Sequence, residues 1–139
     1  KSTTFNFRKL YIMGESTQNF SDKELSCSCC QQNKMTKETL IALQKLRDKI
    51  GKPLRLSSAY RCPRWNNKIS STGKTGPHTT GMAVDILCKG EFAHEVLRLA
   101  MESRNWTGIG ISQKGNHNSR FIHLDTISIK PNRPWVWSY

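Results

Sequence analysis

Apolar residues recur along this chain with two periods. Leu40, Leu43, Leu46 and Ile50 return at three- and four-residue steps, which places them on one face of a helix. Thr36 stands at the N-cap position, and Gly51 followed by Pro53 ends the run, so the spacing predicts a helix over 36–50. Phe92, Val96, Leu99 and Ala100 repeat the pattern and predict a second core helix over 91–103. Upstream, Ser21-Asp22-Lys23-Glu24 reads as a capping box, in which serine and glutamate satisfy each other's backbone donors; it opens a short helix ending near Cys27.

Elsewhere the runs are short and rich in apolar and β-branched residues. Residues 54–60, 82–87, 108–111 and 121–127 read as strands on that ground. In the last of them Ile122 and Leu124 fall on one face, His123 and Asp125 on the other. Residues 62–75 read as a long polar loop, and Gly76, Pro77, Thr79, Thr80 and Gly81 as a turn. Phe5, Phe7, Leu10, Tyr11 and Ile12 mark residues 1–18 as a strand or an extended arm laid on the core. The aromatic tail from Pro131 to Tyr139 either packs its tryptophans on a sheet edge, the favoured expectation, or lines a binding groove.

This order of elements predicts the α+β class, with helices packed on one side of a small, mainly antiparallel sheet. The length of 139 residues predicts one domain over 1–139 with a core of its own. The chain starts at Lys1 and not at methionine, which leaves room for a leader or another domain removed before it. No apolar run approaches the roughly 18 residues of a membrane span, so membrane insertion is not expected. A monomer is.

Twenty-two basic residues against ten acidic ones give a formal charge of +12, which draws anionic partners. The basic residues are scattered, with no arginine-rich arm, zinc-finger spacing or aromatic single-strand signature, so nucleic acid is not the expected partner. A basic surface also suits the anionic polymers and headgroups of a bacterial envelope. The five cysteines, Cys27, Cys29, Cys30, Cys62 and Cys88, leave at least one free in a monomer. Cys27 and Cys30 have the gap of a zinc knuckle, and Cys62 with Cys88 would complete four ligands, but the second gap is far too wide for a ribbon. Buried free thiols are the favoured expectation; a disulfide or a second metal are the alternatives.

The chemistry concentrates at His78, Asp85 and His123. Six residues containing Gly81 separate His78 from Asp85, unlike the helical His-Glu-x-x-His spacing, so the chain must turn before delivering Asp85 from a strand. Singly, each of these residues is ordinarily a hydrogen-bonded structural group. Together, two histidines and a carboxylate form a catalytic zinc set, leaving a fourth position open for water.

The chain resembles the zinc D-alanyl-D-alanine carboxypeptidases and related peptidoglycan peptidases, whose fold is shared with lysostaphin-type enzymes and the hedgehog domain. Ser58-Ala59-Tyr60-Arg61, Asn66, His78-Thr79-Thr80-Gly81-Met82-Ala83-Val84-Asp85 and His123-Leu124-Asp125 carry the resemblance. It is closest to the compact, endolysin-like branch common in phages and departs at Gly76, where the family usually has serine. It implies one catalytic Zn2+ on His78, Asp85 and His123, and hydrolysis of amide bonds in peptidoglycan stem peptides, as a carboxypeptidase or a cell-wall endopeptidase. It also implies that Arg61 binds a substrate carboxylate, with Tyr60 and Asn66 shaping the same pocket. Acidic or imidazole groups that serve the family as general base are replaced by Arg120 and Phe121, leaving Asp125 and His117 as candidates. A non-catalytic, zinc-containing wall-binding domain is the alternative. Either would meet the bacterial wall from inside at lysis or from outside after secretion.

Overall fold

The computed structural model describes residues 13–128 and 131–139. Residues 1–12 of the expected N-terminal arm lie outside the described residues. Among the described residues four helices follow in chain order: α1 (Asp22–Leu25), α2 (Lys37–Ile50), α3 (Pro63–Ile69) and α4 (Gly90–Ser103). Five strands, β1 (Arg55–Ser58), β2 (Ala83–Leu87), β3 (Gly108–Ser112), β4 (Phe121–Asp125) and β5 (Trp135–Ser138), form one sheet of order β1-β2-β4-β3-β5. Every neighbouring pair is antiparallel except β3 with β5. The fold is α+β, as the element order predicts. No helix among the described residues is long and apolar enough to cross a membrane.

Local chemistry accounts for the helix ends. The Glu24 N–H donates to Ser21 Oγ and the Ser21 N–H to Glu24 Oε2, at 3.2 and 2.9 Å, closing the capping box. Thr36 caps α2 by accepting from the Thr39 N–H, and Gly51 ends it in the left-handed conformation.

One expectation needs correction, and another is borne out in both its forms. Residues 62–75 are not a loop: α3 fills half of them and a 3-10 turn, Gly73–Thr75, follows. Pro63 at the start of α3 presets its backbone, but the only buried residue of this helix is Asn66, so it has no apolar period to read. The tail, in turn, is a strand, β5, and its aromatic residues both edge the sheet and face a cleft.

The sheet sorts its residues by the period of two. Val84, Ile86, Ile109, Ile122 and Leu124 join Leu40, Leu43 and Leu46 of α2 and Val96 and Ala100 of α4 in the core. Burying each leucine- or isoleucine-sized side chain contributes about 1.5–3 kcal/mol. Intervening positions form two rows across the opposite face. Asp85 pairs with His123, His123 with Gly110, and Gly110 with Trp137; Ala83 pairs with Asp125, Asp125 with Gly108, and Gly108 with Trp135. A register shift between Leu56 and Ser58 sets Ser58 opposite Asp85 and completes the first row on β1.

All five cysteines are free thiols. Cys27, Cys30 and Cys62 converge, whereas Cys88 sits apart, buried, with its thiol on the carbonyl of Ile86. Burial pushes the Cys88 thiol up to about 11. Cys88 therefore does not complete a ligand set with Cys62.

Candidate metal centre

Strand register supplies two of the three converging side chains. Asp85 of β2 and His123 of β4 are directly opposed, and their Oδ1 and Nδ1 atoms lie 3.0 Å apart. The third comes from the 3-10 turn Pro77–Thr80, which holds His78 Nε2 3.2 Å from the same Asp85 oxygen. The three ligand atoms lie within 4.8 Å of one another, and all three side chains are buried.

The outward nitrogen of each imidazole has its own acceptor. His78 Nδ1–H donates to the Ala59 carbonyl at 2.7 Å, and His123 Nε2–H donates to Asp125 Oδ2 at 2.8 Å. Both tautomers are thereby set with a lone pair facing Asp85. Two imidazole lone pairs and a carboxylate oxygen, buried together, form a cluster of acceptors that could hold a metal ion. Two nitrogens and one oxygen match a zinc site with an open fourth position.

With a second proton on each imidazole in place of a cation, burial pushes the Asp85 carboxyl up, but the facing His78 charge and the bonds from both protonated histidines outweigh it and hold it well below the usual carboxylate range. In that protonated form burial pushes His123 down, while its bonds to Asp125 and Asp85 bring it above its ordinary value. Arg61 steadies the carboxylate from β1's side. Its Nη2 donates to Asp85 Oδ2 at 3.3 Å, its Nε to Ser58 Oγ at 2.7 Å and its Nη1 to Asn66 Oδ1 at 3.1 Å. Asn66, fully buried, passes the link on by donating to Thr72 Oγ1. A Cβ at Gly76 would lie 2.1 Å from Thr72 Oγ1 and 2.7 Å from Asn66 Nδ2, so this chain has no room for the serine of the resembling family.

Asp125 lies behind His123, bonded to the nitrogen that faces away from Asp85. Arg133 donates to both its oxygens, at 3.0 and 2.9 Å. Burial raises the Asp125 carboxyl, but bonds from His123 and Arg133 bring it below its ordinary value. The Arg133 guanidinium also lies 5.2 Å from the Trp137 ring centroid, and Trp137 leans on His123 at a centroid distance of 5.1 Å. β3 gives this layer clearance: a Cβ at Gly108 would stand 2.3 Å from the Asp125 oxygens, and one at Gly110 2.5 Å from Trp137 Nε1.

Of the other expected site residues, only Arg61 lines the cleft that opens over the cluster. Asn66 stands behind Arg61. Tyr60 is buried in the core near Cys30, Cys62 and Cys27, away from the cleft lining. His117 is exposed on the 3-10 turn His117–Ser119 between β3 and β4, and it too is absent from the lining. The sequence reading did not single out Arg133, Trp137 and Tyr139 as site residues, although a groove-lining role for the tail that carries them was the less favoured expectation.

The cleft measures about 810 Å³, and His78, Asp85 and His123 line it together with the aromatic rings of Trp135, Trp137 and Tyr139. Among curated proteins none matches the chain. The sequence model of the Peptidase M15 family matches residues 18–125. That span carries α1, the Arg61 brace, the converging histidines and aspartate, and the core that holds them, and on it the chain belongs to the M15 peptidase family.

Proposed function

We propose that the chain is a zinc peptidase that hydrolyses an amide bond in the stem peptides of bacterial peptidoglycan. The observation that carries this reading is the buried, acceptor-only cluster of His78, Asp85 and His123 opening on a cleft. Zinc held by these three side chains would supply polarisation of the scissile carbonyl and a bound water of lowered pKa. The Ala59 carbonyl and Asp125 hold the two imidazoles in the ligating tautomers. Arg61 takes Asp85 Oδ2 and leaves Oδ1 to the cation. Three of its five N–H donors are used within the protein, so two remain for a substrate carboxylate, the group a carboxypeptidase must recognise. The aromatic rings offer flat apolar surface to a peptide or sugar. The charge of +12 favours encounter with an anionic wall.

A specific observation favours a second reading, a metal-holding domain that binds the wall without cutting it. Apart from the three proposed ligands, the titratable residues lining the cleft among the described residues are Arg61, Arg133 and Tyr139, none of them a carboxylate or imidazole suited to taking a proton from water. One experiment separates the readings: zinc content of wild type and His123→Ala, paired with release of D-alanine or peptide from purified peptidoglycan. The peptidase reading expects His123→Ala to lose cleft zinc and activity together. Zinc without hydrolysis selects the binding domain, and wild-type zinc unaffected by His123→Ala sinks the ligand assignment.

A further inference from the structure

We propose that Cys27, Cys29, Cys30 and Cys62 form a second metal site, a structural zinc centre that staples the turn over residues 27–32 to the chain entering α3. It does not depend on the function proposed for the cleft. The Sγ atoms of Cys27, Cys30 and Cys62 lie within 4.8 Å of one another. Zinc–sulfur bonds of about 2.3 Å in a tetrahedron set sulfurs about 3.8 Å apart, so a small contraction brings these three to ligating distance. Cys29 lies near Cys62 and Cys27 at the exposed edge and would supply the fourth ligand by turning its side chain inward. With Cys88 alone elsewhere, the odd number of cysteines divides into a set of four and one buried thiol.

The backbone around Cys27 is arranged for a thiolate. The N–H groups of Cys29 and Cys62 donate to Cys27 Sγ at 3.4 and 3.3 Å. A neutral thiol does not require two donors aimed at its sulfur; a metal-bound thiolate uses them on its remaining lone pairs. The turn is closed by the Cys27 N–H to the Gln32 carbonyl at 2.8 Å and the Gln31 N–H to the Cys27 carbonyl at 2.9 Å. Gln31 adopts φ 63° there, a left-handed conformation unfavourable for a residue with a Cβ. Arg64 places positive charge near Cys29. An all-thiolate tetrahedral set selects zinc over the harder divalent cations, and closure by four cysteines marks a structural rather than a catalytic site.

The staple has a consequence for the cleft. Cys62 follows Arg61, whose own N–H donates to the His78 carbonyl at 3.2 Å and whose guanidinium braces Asp85. Fixing Cys62 on the far side of this segment holds Arg61 in place without touching substrate, which makes the cysteines positioning residues.

Cobalt(II) substitution tests the site. Thiolate bound to cobalt gives intense near-ultraviolet charge-transfer absorption that a two-histidine, one-aspartate site lacks. Wild type and His123→Ala are expected to show the band, and Cys30→Ser/Cys62→Ser to lose it, with cobalt retained in the cleft. Should that double variant fail to fold, Cys29→Ser at the exposed edge carries the test, with a changed band and about tenfold faster loss of metal to a chelator expected. An unchanged spectrum in the cysteine variants overturns the proposal. So does a non-reduced mass showing any two of the four cysteines joined as a disulfide in the native protein. If the cleft assignment alone is wrong, a cysteine-dependent metal persists while His123→Ala changes nothing, so the two failures are distinguishable.

Discussion

In the cleft, two of the three proposed ligands come from paired strands whose ladder sets Asp85 opposite His123 before any ion arrives. The cysteines, by contrast, come from a short turn and from the residue leading into α3, and few ladder bonds hold either segment. One centre is built into the sheet; the other holds two irregular segments together. A metal in the first contributes chemistry at a site already formed. In the second it contributes order, and through Arg61 the second supports the first.

The sharpest way to break this comparison is to remove a ligand from each centre. Asp85→Ala or His123→Ala is expected to lower hydrolysis of purified peptidoglycan by about a thousandfold or more, since the lost cation carries several kcal/mol of transition-state stabilisation. Cys30→Ser is expected to reduce the same rate only as far as Arg61 drifts. If both kinds of variant lose activity equally, with equal loss of cleft metal, the division between chemical and ordering roles fails.

Asp125 gives the next largest effect. Asp125→Asn keeps the shape but weakens the acceptor for His123 Nε2–H and leaves Arg133 without its charge partner at a buried position. Zinc affinity or activity should fall about 10- to 100-fold, the range for partners that orient a ligating histidine. A metal titration checks the affinity directly. If Asp125 were instead the general base, turnover would collapse at unchanged metal affinity. That outcome would contradict its place behind the imidazole.

Hydrogen exchange reads the two centres separately. Removing metal lowers global stability at either site, because anything that binds only the folded chain stabilises it. The local responses should differ. Stripping the cysteine centre is expected to speed exchange of the Cys29 and Cys62 amides, which donate to Cys27 Sγ, by at least about tenfold. Stripping the cleft should leave the amides of β2 and β4 within about threefold, since their ladder bonds do not involve the ion. Comparable exchange in both regions would mean that the turn is self-supporting.

Legibility in the sequence followed the same division. The alternation of Ile122 and Leu124 with His123 and Asp125 declares which residues share a face, and the three- and four-residue steps of α2 and α4 declare their buried stripes. Regular periods map onto regular elements, so these helices, the four internal strands and the convergence of His78, Asp85 and His123 could be read before the structure. Irregular connections offer no period. α3 buries a single polar residue, Asn66, and therefore looks like a loop. Arg133 reaches back to Asp125 from eight positions further along the chain, and nothing in its spacing announces that contact. For the cysteines the two-residue gap was visible, but Cys62 joins Cys27 and Cys30 while Cys88 lies apart, since only the path of the backbone decides which thiols meet.

Gly76 offers the smallest and most discriminating test, because it marks where this chain departs from the family it resembles. A serine there would drive its Cβ to within 2.1 Å of Thr72 Oγ1 and 2.7 Å of Asn66 Nδ2, and Asn66 is the partner of Arg61 Nη1. Thr72 can swing away at the open side, but Asn66 is fully buried and must shift with its hydrogen bonds. Overpacking of this kind costs about 1–3 kcal/mol. Gly76→Ser should therefore lower the melting temperature and reduce activity a few-fold, with the loss in KM more than in kcat, since Arg61 is disturbed and the ligands are not. Adding Thr72→Ala opens the space that the new side chain needs and should restore most of both, a coupling that a double-mutant cycle measures. If Gly76→Ser is silent alone, Asn66 does not hold Arg61 in the cleft, and the Arg61 brace must rest on Ser58 and the cysteine staple instead.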